Sequence, residues 1–442
     1  MSARVGADDY IVTTNASAAD LDALPRLDMF PTLAPEALYG LPGRIVIAID
    51  PYTEAAAVAT LVHLLVGAGN LIGASPHARV LEDRHPVRLN AVAVGQTSKG
   101  RKGVAWSPVR ALLRRVDPEW ETHCLGSGLS SGEGLIYHVR DVREEQQPIK
   151  KSGRVEGYQR VIVDEGVVDK RLLVIEPEFS SVLRRMNGET NSLSAVIRDA
   201  WDSGDLRTLT KNEPMRATGA HISILGHVTR EELRRELTET ERANGFANRF
   251  LFLLVRRSKI LPEGAPLPEG VLDNLACELR EAVSFAKTVD LVERDAESRA
   301  IWATVYGPLS EGKPGMLGAI ISRAEAQVLR LSCLYALLDR SALIRPGHLA
   351  AALAVWTYAE KSAALIFGEQ RGDLVADTIL TALQACDLDR TEISGLFHRN
   401  VSSARIDAAL RDLKSARLAA RRLERTEGRT REIWAALRKK RN

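Results

Sequence analysis

The sequence predicts an α/β core, then a block of helices, then a winged helix-turn-helix. Three observations predict it. An apolar run, Ala91-Val92-Ala93-Val94, passes through a Gly- and Lys-rich loop into a helical pattern that ends near Arg115. A second apolar run, Leu172 to Ile175, ends in Glu176-Pro177-Glu178. From Asp373 onward the chain reads as three helices and a hairpin, with 15 Lys and Arg against 10 Asp and Glu.

Length and composition set the bounds. A chain of 442 residues is long enough for two or three domains with cores of their own. Its 45% hydrophobic and 26% charged residues are ordinary for a soluble protein, and a net charge of +3 excludes a polycation. Cys124, Cys277, Cys333 and Cys386 are far apart and form no metal-ligand spacing, so they read as reduced thiols of a cytoplasmic protein. Residues 1–28 are rich in Ala, Asp, Ser and Thr, carry no apolar segment, and read as a disordered N-terminus without a secretory signal. The most apolar stretch, Ala55 to Ile72, carries His63, two glycines and Asn70 and reads as a buried helix, not a membrane span.

Taken in order, the Pro and Leu content from Phe30 to Leu41 suggests a short docking segment. Asp50-Pro51 suits a helix start, with the helix running to about Leu65. The strand at Ala91–Val94 then meets the loop Gly95–Gly103. Backbone N–H groups of such a loop and the following helix N-terminus face an anion, and a Lys adds charge. Gly95 and Gly100 keep the spacing of a nucleotide phosphate loop, and Thr97, Ser98 and Lys99 lie between them. Arg101 stands where Lys is expected, Lys102 comes one place late, and Gly103 replaces the Mg²⁺-binding hydroxyl. The alternative is a basic surface loop.

A second Gly/Ser loop, 125–134, presents Glu133 as a carboxylate near a ligand or as a solvated side chain. Residues 143–160 are densely charged and read as a surface loop. The strand at 171–175 ends in acids, at the edge where open α/β sheets bind ligands. There Glu176 suits Mg²⁺ held through a water, and Glu178 suits activation of the attacking water. Leu193 to Trp201 is helical, Leu206 to Met215 a hairpin, and Ala220 to Thr229 a buried strand whose His227 could sense the terminal phosphate. Thr229 and Glu232 open a helix as a capping box. Arg249 follows a Gly/Asn turn, where it suits an arginine reaching a neighbouring subunit's γ-phosphate, or a structural pair within its own subunit.

A Pro/Gly-rich linker at 260–270 separates the core, 29–260, from an α-helical lid domain, 270–368. Arg323 and Arg330 stand seven apart on one helix, nearly on the same face, and Arg323 could return to the nucleotide. The last unit, 373–437, has a turn before its third helix, the spacing of a winged helix-turn-helix that lays that helix in a DNA major groove. Arg399, Ser403, Arg405, Arg411, Lys414, Arg421 and Arg429 are its candidate DNA contacts. Residues 411–442 hold 12 basic and 4 acidic side chains.

The stretches VGQTSKGRKG, GLSSGEGLI, LLVIEPEF, AVIRDAWDSGDL, HISILGHVT, ANGFANRFLF and ISRAEAQVLRLSCLYALLD together resemble a large family of helicase-like P-loop ATPases. That family is carried by prophages, plasmids and other mobile elements, and its members are often found beside primase-polymerase domains. The resemblance runs from about Phe30 to Phe367. It implies a P-loop NTPase core of RecA or AAA+ type that assembles as a homo-oligomeric ring, uses ATP and Mg²⁺, and acts on DNA with a primase or polymerase as partner. It assigns phosphate binding to Gly95, Gly100 and Lys102, acidic roles to Glu176 and Glu178, and an arginine-finger role to Arg249. The expected function is an ATP-dependent DNA motor in mobile-element replication. The alternative is a DNA-binding regulator, or a defence-complex subunit, with a nucleotide-switched or degenerate site.

Overall fold

The computed structural model describes residues 30–95, 103–151, 154–188, 191–209, 214–313, 315–367, 374–397, 401–416, 418–425 and 430–437. The expected disordered segment, 1–28, lies outside them. A helix α1 (Gly40–Ile49) and a long apolar helix α2 (Ala57–Ile72) come first. A helix starting at Asp50-Pro51 is corrected: Asp50–Tyr52 is one 3-10 turn after α1. Pro51 sits just past the end of an apolar helix and acts as its stop.

The hairpin β1 (His77–Val80) and β2 (Asp83–Pro86) leads to β3 (Asn90–Gly95), buried along its whole length. Helices α3 (Trp106–Val116) and α4 (Pro118–His123) follow, then a short strand β4 (Leu125–Gly126) and α5 (Gly132–Tyr137). The charged stretch expected as a loop is an antiparallel hairpin, β5 (Arg143–Lys151) with β6 (Arg154–Asp164). Its charges concealed the β-branched run Val161-Ile162-Val163, which suits a strand.

Next come β7 (Arg171–Glu176), α6 (Phe179–Met186), α7 (Leu193–Asp202), the small hairpin β8 (Leu206–Arg207) and β9 (Arg216–Ala217), and β10 (His221–Thr229). Helices α8 (Arg230–Glu236), opened by the expected Thr229–Glu232 capping box, and α9 (Glu239–Ala243) lead to β11 (Leu251–Val255).

Five of these strands form one parallel sheet in the order β11-β3-β10-β7-β4. A parallel sheet needs apolar cover on both faces. The helix α2 lies against it, and Asn70 on α2 ties the sheet edge together. The Asn70 amide donates to the Leu172 and His221 carbonyls at 3.0 Å, and its oxygen accepts from the Trp120 indole at 2.9 Å.

The helical block is α10 (Glu269–Thr288), β12 (Glu293–Arg294), α11 (Ala296–Ser310), α12 (Gly315–Ile321), α13 (Ala324–Leu338), β13 (Leu343–Ile344) and α14 (Pro346–Phe367). The expected lid domain, 270–368, falls in this block. One continuous hydrophobic core runs from Ala37 to Phe367 and includes both sheet and helices. Tyr358 donates to the Leu254 carbonyl at 2.7 Å, and Phe367 meets Phe252 edge-on. The helix α14 is long and apolar enough to cross a membrane, yet most of it is packed in this core.

A second, distinct core gathers Ile379, Leu383, Ile393, Ile406, Leu410 and Trp434. Its elements are α15 (Leu374–Ala385), β14 (Leu388–Asp389), α16 (Arg390–Gly395), α17 (Ser403–Ser415), β15 (Ala419–Arg425) and β16 (Thr430–Ala436). The strands pair antiparallel in the order β14-β16-β15. The expected caps at Asp389 and Ser402 are both formed.

Two fully buried histidines make stability pH-dependent. Burial pulls His63 down to about 4 and His221 to about 3. Both stay neutral in the fold, while the unfolded chain takes up their protons near 6.5. Acid therefore favours unfolding. Below pH 6 the loss approaches about 1.4 kcal/mol per pH unit for each histidine. Urea midpoints at pH 7, 6 and 5 should fall, and His221→Asn should flatten that slope.

Candidate functional site at the carboxyl edge of the sheet

The chain leaves β3 toward β4 at one side of the sheet and leaves β10 toward β11 at the other. Where consecutive connections diverge, the carboxyl ends of the two strands frame a crevice, the usual ligand position of an open α/β sheet. Gly95 ends β3 and lies level with Thr229 of β10 and Val255 of β11. Gly103 re-enters as an exposed turn before α3. Thr97, Ser98, Lys99, Gly100, Arg101 and Lys102 lie outside the described residues.

His227 is buried at this crevice, and its Nδ1 is 3.8 Å from where a Cβ on Gly103 would stand. Its ring stacks on His63 of α2, with Nε2 to Nε2 at 2.8 Å. The tautomers follow from the far end. The Ala59 carbonyl only accepts, so the His63 Nδ1, 2.6 Å away, carries the proton. With His63 held neutral by burial, its Nε2 is an acceptor, and His227 donates to it from Nε2. His227 thus gives its Nε2 proton to His63, with Nδ1 on the side of Gly103. His63 was not among the candidates named from the sequence. Its only signal was a titratable side chain inside an otherwise apolar helix.

The acidic strand end lies one strand away from Gly95, since β10 runs between β3 and β7. At the usual strand spacing that is about 10 Å. Glu176 is buried, and its Oε1 accepts the Gly128 and Leu129 N–H groups at 2.6 and 2.7 Å. One carboxylate oxygen is therefore spent on pinning the Gly/Ser loop. Glu178 is exposed at the start of α6 and makes no capping bond. Its turn is fixed by Phe179, whose ring lies where a Cβ on Gly226 would stand, at 2.7 Å. Only glycine on β10 leaves that room. Glu133 is exposed in the first turn of α5 and accepts from the Ser192 hydroxyl at 2.8 Å. The Thr229 hydroxyl donates to Glu232 at 2.7 Å and so belongs to the helix cap.

Arg249 and Arg323 stand elsewhere. Arg249 precedes β11, at the amino edge of the sheet, and is 5% exposed. It pairs with Asp202 and donates to the Gly245 carbonyl. Of the two expected roles, a finger toward a neighbouring subunit or a pair within its own, this geometry is the pair. A guanidinium buried against its own carboxylate is not extended outward. Arg323 approaches the other Asp202 oxygen at 3.3 Å. Arg330, fully buried, lies 3.6 Å above the Trp201 ring and donates to the Trp201 carbonyl at 2.9 Å. Arg88 donates to the Ala220 carbonyl at 2.6 Å, and burial lowers it to about 10, still charged at neutral pH.

In the C-terminal unit Ser403, Arg405, Arg411, Lys414 and Arg421 are exposed, the first four on α17. Ser403 accepts from Arg390, and Arg421 lies 3.7 Å from Glu432. Arg399 and Arg429 lie outside the described residues. Among the described residues no group of His, Cys, Asp and Glu has the makings of a metal site. Comparison of the chain with protein-family models and with curated proteins finds no match.

Removing Asp202 strands the buried Arg249 charge, whereas removing Arg249 leaves an Asp202 side chain that is 39% exposed and still faces Arg323. In urea titrations Asp202→Ala should lower unfolding free energy by about 3 kcal/mol, and Arg249→Ala by less. The double variant should lose at least about 1 kcal/mol less than the sum of the two. Strict additivity would show that the two side chains do not act as a pair.

Proposed function

We propose that this chain is an ATP-dependent, DNA-associated ATPase of the helicase-like kind, working in mobile-element replication. The observation that carries the reading is the crevice at Gly95. A Gly/Lys/Arg loop leaves β3 there, and a strand with an exposed carboxylate at its end stands one strand away. On this reading the core is a P-loop NTPase, Lys102 or Arg101 neutralises the β- and γ-phosphates, and His227 meets the phosphate side of the crevice. Glu178 orients the water and holds its departing proton. Mg²⁺ would supply charge neutralisation on the phosphates, and the Glu176 oxygen opposite Oε1 would hold it through a water. The C-terminal unit, read as a winged helix, binds DNA through α17 and the β15–β16 wing. The reading keeps a ring of like subunits, with Arg249 no longer its finger, and a primase or polymerase as partner.

A second reading has specific support. Glu176 is already engaged by the Gly/Ser loop, Arg249 is structural, and Gly103 lacks the hydroxyl of the strict phosphate loop. These favour a DNA-binding regulator switched by ATP without turnover.

Steady-state ATP hydrolysis with Mg²⁺, with and without DNA, separates the two. The ATPase reading expects DNA-stimulated turnover that drops about 100-fold or more in Lys102→Ala and Glu178→Gln, with Glu178→Gln still binding ATP. Binding without turnover in the unaltered chain leaves the switch, and no ATP binding sinks both. For the DNA contacts, Arg411→Ala and Lys414→Ala should each weaken duplex binding at every sequence and reduce the salt slope by about 0.9.

A further inference from the structure

The amino edge of the sheet carries a cavity of about 600 Å³ between the β1–β2 hairpin, β12, α11 and the start of α13. That size is typical of sites for small organic ligands. It lies apart from the phosphate loop. His85 lines it just before β3, whereas Gly95 ends β3, and the six residues of the strand span about 20 Å.

Its walls are cationic and aromatic. Arg79, Arg294 and Arg323 line it, and Glu325 is the one carboxylate among its lining residues. No ion pair engages Arg79 or Arg294 among the described residues. Arg323 shares Asp202 with Arg249. Arg294 lies 4.0 Å above the Trp302 ring, and its Nε is buried with no hydrogen-bond partner. The His85 Nδ1 in the same wall is buried and likewise unpartnered. Trp302 and Tyr306 stand one helical turn apart on α11, with ring centroids 5.6 Å apart. Tyr306 is 48% exposed.

Each feature selects a ligand property. Three arginines against one lining carboxylate, two of them outside any ion pair among the described residues, select a phosphate, for which a guanidinium fork is shaped. The aromatic pair beside them, Tyr306 exposed and Trp302 half-buried under Arg294, selects a planar base. Buried polar atoms without protein partners gain hydrogen bonds when a polar ligand or a water enters. We propose that this cavity is a second ligand site, which takes one nucleotide unit, its base against Trp302 and Tyr306 and its phosphate on Arg79, Arg294 and Arg323. The unit comes either from a single strand of nucleic acid or from a free nucleotide. The proposal stands whether or not the loop after Gly95 binds ATP.

The test uses the full chain and two photoreactive probes, a short oligothymidylate carrying one 5-iododeoxyuridine and the mononucleotide 5-iodo-dUMP. Irradiation should attach a probe to Trp302 or Tyr306, read by mass spectrometry of the tryptic peptide that begins at Ala300. Labelling by the oligonucleotide identifies a strand as the source, and labelling by 5-iodo-dUMP alone identifies a free nucleotide. Either supports the site. Arg79→Gln, on the exposed hairpin, and Arg79→Gln with Arg294→Gln should weaken the labelling probe about tenfold or more. Lys102→Ala should label as the unaltered chain does, so failure of the ATPase reading leaves this result untouched. No adduct on either ring with either probe overturns the proposal. So does an adduct undiminished in both arginine variants.

Discussion

Four guanidinium groups converge on Trp201 and Asp202, and the amino edge of the sheet depends on how their charge is met. Arg88 comes from the lead-in to β3, Arg249 from the lead-in to β11, Arg323 from the residue before α13 and Arg330 from α13 itself. One carboxylate cannot neutralise four cations. The rest of the compensation comes from the Trp201 face and from the carbonyls of Ala220, Gly245, Arg88 and Trp201. Those carbonyls sit on different elements, so the charges are satisfied only when α7, α13 and the lead-ins to three parallel strands meet in one place. The interaction fixes position more than it adds stability, because burying charge costs desolvation that pairing repays only in part.

The two ends of the sheet consequently differ in kind. At the amino end, arginines are caught between a structural cluster and an open cavity, and Arg323 touches both. At the carboxyl end, glycines and acids dominate, and a buried polar link runs from the Ala59 carbonyl through His63 to His227. That link joins α2 to the crevice, so a change of charge at the Gly103 side of His227 reaches a helix in the middle of the core. The helical block shares the core of the sheet.

Much of this was legible in the sequence. The strands at 90–95, 171–176, 221–229 and 251–255 are apolar runs bounded by polar turns. Caps at Thr229, Asp389 and Ser402 announce the helices they open. Local chemistry was enough there, since a cap or a buried strand is written in adjacent residues. Where neighbours in space mattered, the sequence misled. The Gly/Asn turn before Arg249 says that its side chain is presented, but its direction depends on Asp202, 47 residues away. The charge of 143–164 concealed a hairpin because two strands that pair with each other need no apolar face.

The sequence by itself determined the α/β class, the boundaries of most elements, and the separation of the C-terminal unit with its basic excess. All of these rest on periodicity, capping and composition, which are local. Only the tertiary structure decided that β10 lies between β3 and β7, that the helices after Glu269 join the first core, and that Glu176 is tied to a distant loop. It alone brought Arg79, Arg294 and Trp302 to one cavity and His63 to His227. Such pairings follow from how covered sheet faces and buried charges are satisfied together, and no stretch of adjacent residues carries that information.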